Sequence, residues 1–410
     1  MIASALHVAI AVFVGLGAAF RGTVNVTDRV QTSSRFAPDR RQAPFDFDNS
    51  PSAALGLKWS SLQLMIGYTA QLTVLDALNA RQRTSVVLHT GFSNATFFGP
   101  RYRLSLSQAA SVGTQTFARL VTTPANPGVA PDPAASRVDF IPPSYDPVAI
   151  VSLTSGAVVE YDWTRRWRTG LSAAYAFSGG TGRSEGVLPQ QSTTVALAST
   201  DYAVSRQDQI GVSLGVEHLR TSLRLRYSAV RGTVGWTYRA GPGTAARVEG
   251  GAVVGVQTSP ETSPSGVGFV AWKTAAYPRV AASLGQDLFR RRGIQVALGL
   301  GAAAAPMITA VNGQLQQRVQ GTATLNTTVA DNTIIAATGD AAQTLPLRDA
   351  REVRILGVGL AVTHRAATVL DLTLGGRMAW QHARDPLNGS FPALWFAYAG
   401  VILRSPGLTF

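Results

Sequence analysis

Apolar and polar residues alternate singly along most of this chain, and that period of two limits the fold more than any other feature. Leu62, Leu64, Ile66 and Tyr68 share one side of an extended segment whose other side carries Gln63, Met65, Gly67 and Thr69. Tyr102, Leu104 and Leu106 alternate with Arg103, Ser105 and Ser107. Val151, Leu153, Ala157, Val159 and Tyr161 alternate with Ser152, Thr154, Gly156, Glu160 and Asp162, so both acids fall on the polar side. The pattern recurs at Trp167, Leu171, Ala173, Tyr175 and Phe177, and at Ile210, Val212, Leu214 and Val216 against Gly211, Ser213, Gly215 and Glu217. Leu223, Leu225 and Tyr227 stand against Arg224 and Arg226, and Leu370, Leu372, Leu374, Met378 and Trp380 against Asp371, Thr373, Arg377 and Gln381. This is the signature of antiparallel strands with one apolar and one polar face.

What the apolar faces meet follows from composition. Of 410 residues only 14% are charged, against about 25% in an ordinary soluble domain. A soluble β-sandwich or propeller would carry more Lys and Glu on its outer faces. Here the polar faces are Ser, Thr, Gly, Gln and isolated Arg, which suits a hydrated lumen with the apolar faces turned to lipid. Trp59, Tyr102, Trp163, Trp167, Trp236, Trp380 and Trp395 lie near segment ends, as in the aromatic girdles of a membrane barrel. After the first twenty positions no apolar run is long enough for a membrane helix, which needs about 20 residues. The expectation is an all-β fold, a closed antiparallel transmembrane β-barrel.

Joint lengths supply a second argument. Short polar joints at 164–166, 219–220, 290–293 and 364–366 alternate with long Pro/Gly/Ser-rich connections at 117–148, 179–206, 258–266, 305–352 and 383–392. Outer-membrane barrels have short periplasmic turns and long extracellular loops. The Arg pair at 165–166 and the Arg run at 290–292 would then lie at the periplasmic rim, and are read as solvated turns. Counting strands back from the end, with 221–229 and 233–239 taken as two, gives sixteen, within a range of 14–18 because 267–289 is overlong and 314–337 has room for a hairpin.

Residues 1–19 are expected to be a signal peptide: the segment is apolar and places Gly17 and Ala19 before a possible cleavage point, although no basic residue precedes it. Residues 20–52 read as a polar leader with a possible first strand at Thr23–Gln31, and 53–410 as the barrel. The chain ends at Phe410 after Leu394, Phe396, Tyr398, Ile402 and Leu408, with Pro406 and Gly407 interrupting the last strand. A final strand of this kind resembles the assembly signal of bacterial outer-membrane β-barrels, and the whole chain resembles a porin-like member of that class. The resemblance implies a Gram-negative outer-membrane location, contact with membrane lipid and lipopolysaccharide, and insertion by the outer-membrane assembly machinery. Overall length, Arg usage and loop style are also loosely similar to the barrels that accompany polysaccharide export systems.

Little in the sequence points to covalent chemistry. There is no Cys, which removes thiol nucleophiles and Cys metal sites. The five His residues share no metal-ligand spacing, and no nucleophile, base and orienting group can be assembled. The Gly pairs at 357 and 359, 299 and 301, and 250 and 251 lie within strands, where Gly marks bulges or close approach rather than a phosphate loop. No cofactor and no enzymatic activity are expected. The formal net charge of +13 raises nucleic acid as a partner, but all basic residues except Lys58 and Lys273 are scattered Arg, without a basic helix or an RNA-binding motif.

The charge is better placed in a pore. If the faces are assigned correctly, Arg103, Arg168, Arg224, Arg226, Arg354 and Arg377 project inward, with Glu160, Asp162, Glu217 and Asp371 supplying the opposite charge. Facing acids and bases create a transverse field that orders polar solutes, and an Arg excess favours anions. The expected function is an outer-membrane channel for polar or anionic solutes. The alternatives are a dedicated polysaccharide conduit and a plugged structural or adhesive barrel with binding loops.

Overall fold

The architecture was obtained as a computed structural model, which describes residues 19–33, 45–75, 77, 84–116, 147–186, 188–222, 224–241, 243–262, 268–291, 293–308, 315–330, 332–345, 353–383, 394–404 and 408–409. In the first half of the chain the strands are β1 (Ala19–Ser33), β2 (Phe45–Lys58), β3 (Leu62–Leu75), β4 (Thr84–Phe98), β5 (Tyr102–Thr116), β6 (Pro147–Asp162), β7 (Trp167–Gly180), β8 (Gln191–Ala203) and β9 (Asp208–Thr221). The second half gives β10 (Arg226–Arg239), β11 (Thr244–Thr262), β12 (Gly268–Arg291), β13 (Ile294–Ile308), β14 (Leu315–Val329), β15 (Thr333–Leu345), β16 (Val353–Ala367), β17 (Leu370–Ala383), β18 (Leu394–Arg404) and the two-residue β19 (Leu408–Thr409). One 3₁₀ turn, Gly182–Gly186, is the only helical element among the described residues.

From β1 to β18 every strand pairs antiparallel with its sequence neighbours, and β1 pairs with both β2 and β18. The ladder from Asn25↔Arg404 to Ser33↔Phe396 closes the ring, and β19 prolongs β18 by placing Leu408 and Thr409 opposite Gly22 and Arg21. The wall is therefore a closed barrel of eighteen strands. Closure leaves no free sheet edge, the condition for strands to cross a bilayer.

Eighteen is the top of the expected range. Three strands lie in stretches read as connections: β8 inside that expected at 179–206, and β14 and β15 inside that at 305–352, where they form the hairpin for which 314–337 has room. In the other direction, the segments expected at 221–229 and 233–239 are one strand, β10, preceded by a turn at 222–225 where Arg224 adopts a left-handed φ of 63°. The overlong segment at 267–289 is a single strand. Its β11–β12 hairpin runs beyond the neighbouring strands, because β12 pairs with β13 only from Val280↔Ala304 onward. Two positions further along that register Pro278 would face Pro306, and neither has an N–H to give. Gln317 Nε2 instead donates to the Pro278 carbonyl at 2.9 Å.

The possible first strand at Thr23–Gln31 lies within β1, and 45–52 opens β2, so these parts of the expected leader belong to the wall; 34–44 lie outside the described residues. Apart from Ala19, the expected signal peptide lies outside the described residues, as does Phe410.

The connections alternate strictly. Those at 59–61, 99–101, 163–166, 204–207, 240–243, 292–293, 330–332 and 368–369 are short and share one end of the barrel with the start of β1 and the end of β18. The other end carries 34–44, 76–83, 117–146, 181–190, 222–225, 263–267, 309–314, 346–352 and 384–393. The joint expected at 219–220 lies within β9, and the hairpin turn that follows it belongs to the long-connection end. This asymmetry, with both chain ends on the short side, is that of an outer-membrane barrel whose short turns are periplasmic.

Candidate functional site

Register separates two faces. On β7, β9 and β17 the outward positions include Leu171, Leu214 and Leu374, which are 63%, 62% and 62% exposed. Unburied leucines repeated around a closed wall make an apolar belt for lipid. The opposite positions carry Ser, Thr, Gly and the charged groups, and they form the candidate site: the inner face of the barrel.

The first inward group sits at the short-turn end. Arg103 and Glu160 are register partners on β5 and β6 and form an ion pair. One strand further on, Arg168 Nε donates to Asp162 Oδ1 at 2.7 Å. Asp201, the register partner of Arg168 on β8, adds to its electrostatic surroundings, and its Oδ1 lies where a Cβ on Gly211 would come within 2.5 Å.

A second group climbs β9 to β12 as an alternating ladder. Glu249 accepts from Arg247 Nη2 at 3.0 Å and from Arg279 Nε at 3.3 Å. Above them Glu217 lies in the fields of Arg231 and Arg279, and the Arg231 side chain crosses Gly215, whose added Cβ would fall 3.2 Å from Nε. Ser213 and Thr233 share a hydrogen bond at 2.6 Å on the same face.

A third group spans β15 to β18. Arg377 Nη2 donates to Asp340 Oδ1 at 2.5 Å, reaching across β16. Asp371, only 2% exposed, holds two partners: Arg404, and Arg365 at 3.6 Å. Glycine makes the second and third groups possible, because it lets a long side chain lie flat on the wall instead of standing into the lumen. Aromatic rings use the same device: the Phe92 ring covers Gly67, Tyr227 covers Gly255 and Tyr398 covers Gly375.

Of the residues expected to line the pore, Arg103, Glu160, Asp162, Arg168, Glu217, Asp371 and Arg377 have inward register and fall into these three groups. Three expectations need correction. Arg224 is exposed in the turn that precedes β10, not in a strand. Arg226 shares its parity with Val230 and Val234, which are 52% and 57% exposed, so it is an outward residue at the rim. Arg354 likewise alternates in step with exposed Leu356, Val358 and Leu360, opposite His382. The cause at β10 is a reversed polarity: Leu225 and Tyr227 are the inward residues there, buried with Leu219, Ala229, Val253 and Tyr277 in an apolar cluster. Arg231, Arg247, Glu249, Arg279, Asp340, Arg365 and Arg404 were not foreseen. Their common signal is a charge at the same parity as Ser, Thr and Gly, which becomes readable only once register is known.

Among the described residues no group of three or more His, Asp or Glu side chains converges to hold a metal ion.

No family model and no curated protein matches the sequence. Solved structures resemble it in outline over nearly the whole chain. OccAB4 of Acinetobacter baumannii is 8% identical, with a TM-score of 0.46 over 95% of this chain and 98% of that one. The closed form of the ferric-catecholate import receptor Fiu of E. coli K12 is 8% identical, with a TM-score of 0.49 over 93% of this chain and 81% of that one. A bacterial polysaccharide outer membrane secretin is 9% identical, with a TM-score of 0.35 over 93% and 98%.

Proposed function

We propose that the barrel is an outer-membrane channel through which polar solutes diffuse, anions in preference to cations. The observation that carries the reading is a surplus of guanidinium in the second and third inward groups, the first having one carboxylate more than its arginines: Glu249 is shared by Arg247 and Arg279, and Asp371 by Arg365 and Arg404. Each of these triads keeps one positive charge after pairing. The ring size supports conduction, since barrels of 16–18 strands enclose an aqueous channel rather than a side-chain core. These arginines hold positive potential along the wall, where low-dielectric surroundings strengthen it.

The test is electrical. Protein reconstituted in a planar bilayer is expected to give stepwise conductance, and under a salt gradient a reversal potential on the anion side of zero. Absence of current steps would remove the channel reading, whereas steps with a cation-side reversal potential would remove only the anion preference.

A further inference from the structure

Basic and aromatic residues are not spread evenly around the short-turn rim. Exposed Arg and Trp come together in one arc, the turns at 99–101, 163–166 and 204–207 with the strand ends beside them. Backbone hydrogen bonds tie these turns edge to edge: Asp162 N–H donates to the Arg101 carbonyl at 2.7 Å, Ala203 N–H to Arg166 at 2.8 Å, and Arg239 N–H to Gln207 at 2.8 Å. The turns carry Arg101, Arg165, Arg166 and Arg206, all exposed, and none of the four forms an ion pair among the described residues. Among the described residues the other exposed Arg on this end are Arg239, beside the arc, and Arg290 and Arg291 on β12, where 280–300 contains no Trp; Arg103, Arg168, Arg365 and Arg404 are matched by acids.

Outward from the same turns stand Tyr102, Trp163, Trp167, Tyr202 and Trp236, each between 42% and 54% exposed. Their polar ends are fixed to the wall. Trp163 Nε1 donates to Thr169 Oγ1 at 3.0 Å, Trp167 Nε1 to Thr200 Oγ1 at 2.7 Å, and Trp236 Nε1 to Asp208 Oδ1 at 3.1 Å. Anchored indoles of this kind mark the headgroup level of a bilayer. The turns at 330–332 and 368–369, on the other side of the ring, have neither feature: 327–336 and 364–372 contain no Phe, Tyr or Trp.

We propose that this arc is a binding site for anionic glycerophospholipid headgroups in the leaflet at the short-turn end. Unpaired guanidiniums immediately beyond an aromatic belt meet lipid phosphate where it lies, and the guanidinium fork fits phosphate oxygens in pairs. A soluble polyanion would leave the indoles without a role. The proposal rests on the barrel spanning the membrane, but not on what it conducts.

The test uses the seven tryptophans of the full chain as reporters in vesicles containing brominated phosphatidylglycerol or brominated phosphatidylcholine at equal mole fraction. Stronger and saturable quenching by the phosphatidylglycerol is expected. Replacing Arg101, Arg165, Arg166 and Arg206 together by Ser should lower that preference on the order of tenfold or more, from about fivefold per engaged guanidinium. If the fourfold variant does not fold, Arg165→Ser and Arg206→Ser singly, each in an exposed turn, carry the same comparison. Equal quenching by the two lipids, or a preference that survives the substitutions, overturns the proposal. So does a stronger response to lipopolysaccharide than to phosphatidylglycerol, or binding of polyglutamate to the detergent-solubilised barrel without any lipid preference, which would assign the arc to an acidic protein. No quenching by either lipid would remove the membrane placement itself.

Discussion

Arg377 and Asp340 bond at 2.5 Å although β16 runs between their strands, and the gap that admits the bridge is the missing side chain of Gly357. A Cβ there would stand 2.6 Å from Asp340 Oδ1 and 2.8 Å from Arg377 Nη2. Gly357→Val is therefore expected to separate the pair, at a cost of about 1–3 kcal/mol. The midpoint of the heat-induced gel shift measures it. Arg377→Gln should lower the midpoint as well, and the two together should cost less than their sum, because both remove one interaction. Strict additivity would show that Gly357 is needed for some other reason.

Asp371 joins three strands next to the closing seam, through Arg365 on β16 and Arg404 on β18. Asp371→Asn leaves two guanidiniums facing each other without their counter-charge. Removing one partner of a fully buried pair costs about 3–5 kcal/mol; both arginines are about half exposed, so solvent screening reduces the expected loss to about 1–3 kcal/mol. Urea-induced unfolding of the barrel in detergent reads the difference, and an unchanged midpoint would deny the clamp.

Tyr227 is 3% exposed and lies on Gly255, yet its hydroxyl has no hydrogen-bond partner among the described residues. Packing and polarity make opposite predictions here. Tyr227→Phe keeps the ring and removes a buried unsatisfied group, so stability should hold or rise by about 1–2 kcal/mol. Tyr227→Ala uncovers Gly255 and should cost about 3–5 kcal/mol. A large loss in the Phe variant would mean the hydroxyl is bonded after all.

Glu249 is the one carboxylate between Arg247 and Arg279. Glu249→Gln frees a full positive charge on the inner wall while keeping the shape. The reversal potential under a salt gradient should move further to the anion side, and the effect should shrink at high salt as screening shortens the field. An unchanged reversal potential would place this triad away from the ion path.

The alternation of single residues made the fold class and most strands readable, because lipid demands an apolar residue at every second position wherever the outward face is large. It fails where that demand is met by small residues. β8 turns Thr194, Ala196, Ala198 and Thr200 outward while its larger Val195 and Leu197 point in, so the pattern is inverted and weak. β14 and β15 alternate Thr, Ala, Gly and Gln with little contrast, and read as a loop for the same reason. β10 reads as two segments, 221–229 and 233–239, whereas Arg231 and Gly232 between them lie within an unbroken ladder from Arg226 to Arg239. The inner site was half legible. Arg103, Glu160, Asp162 and Arg168 belong to strands with strong outward faces, which fixes their parity. Arg279, Asp340 and Arg365 needed cross-strand register, which no single strand's sequence contains.

The pairing of β1 with β18 and β19 also sets an order of events. Asn25 and Arg404 face each other across nearly the whole chain, so the first strand must wait, one edge unpaired, until the last has been synthesised. Loop closure over that distance is the slowest kind of contact to make, and an open edge invites wrong partners meanwhile. A circularly permuted chain, joined between its present ends and cut at 330–332, would make the same ring with its waiting edge elsewhere. It should yield the same final barrel but aggregate at a different rate during refolding.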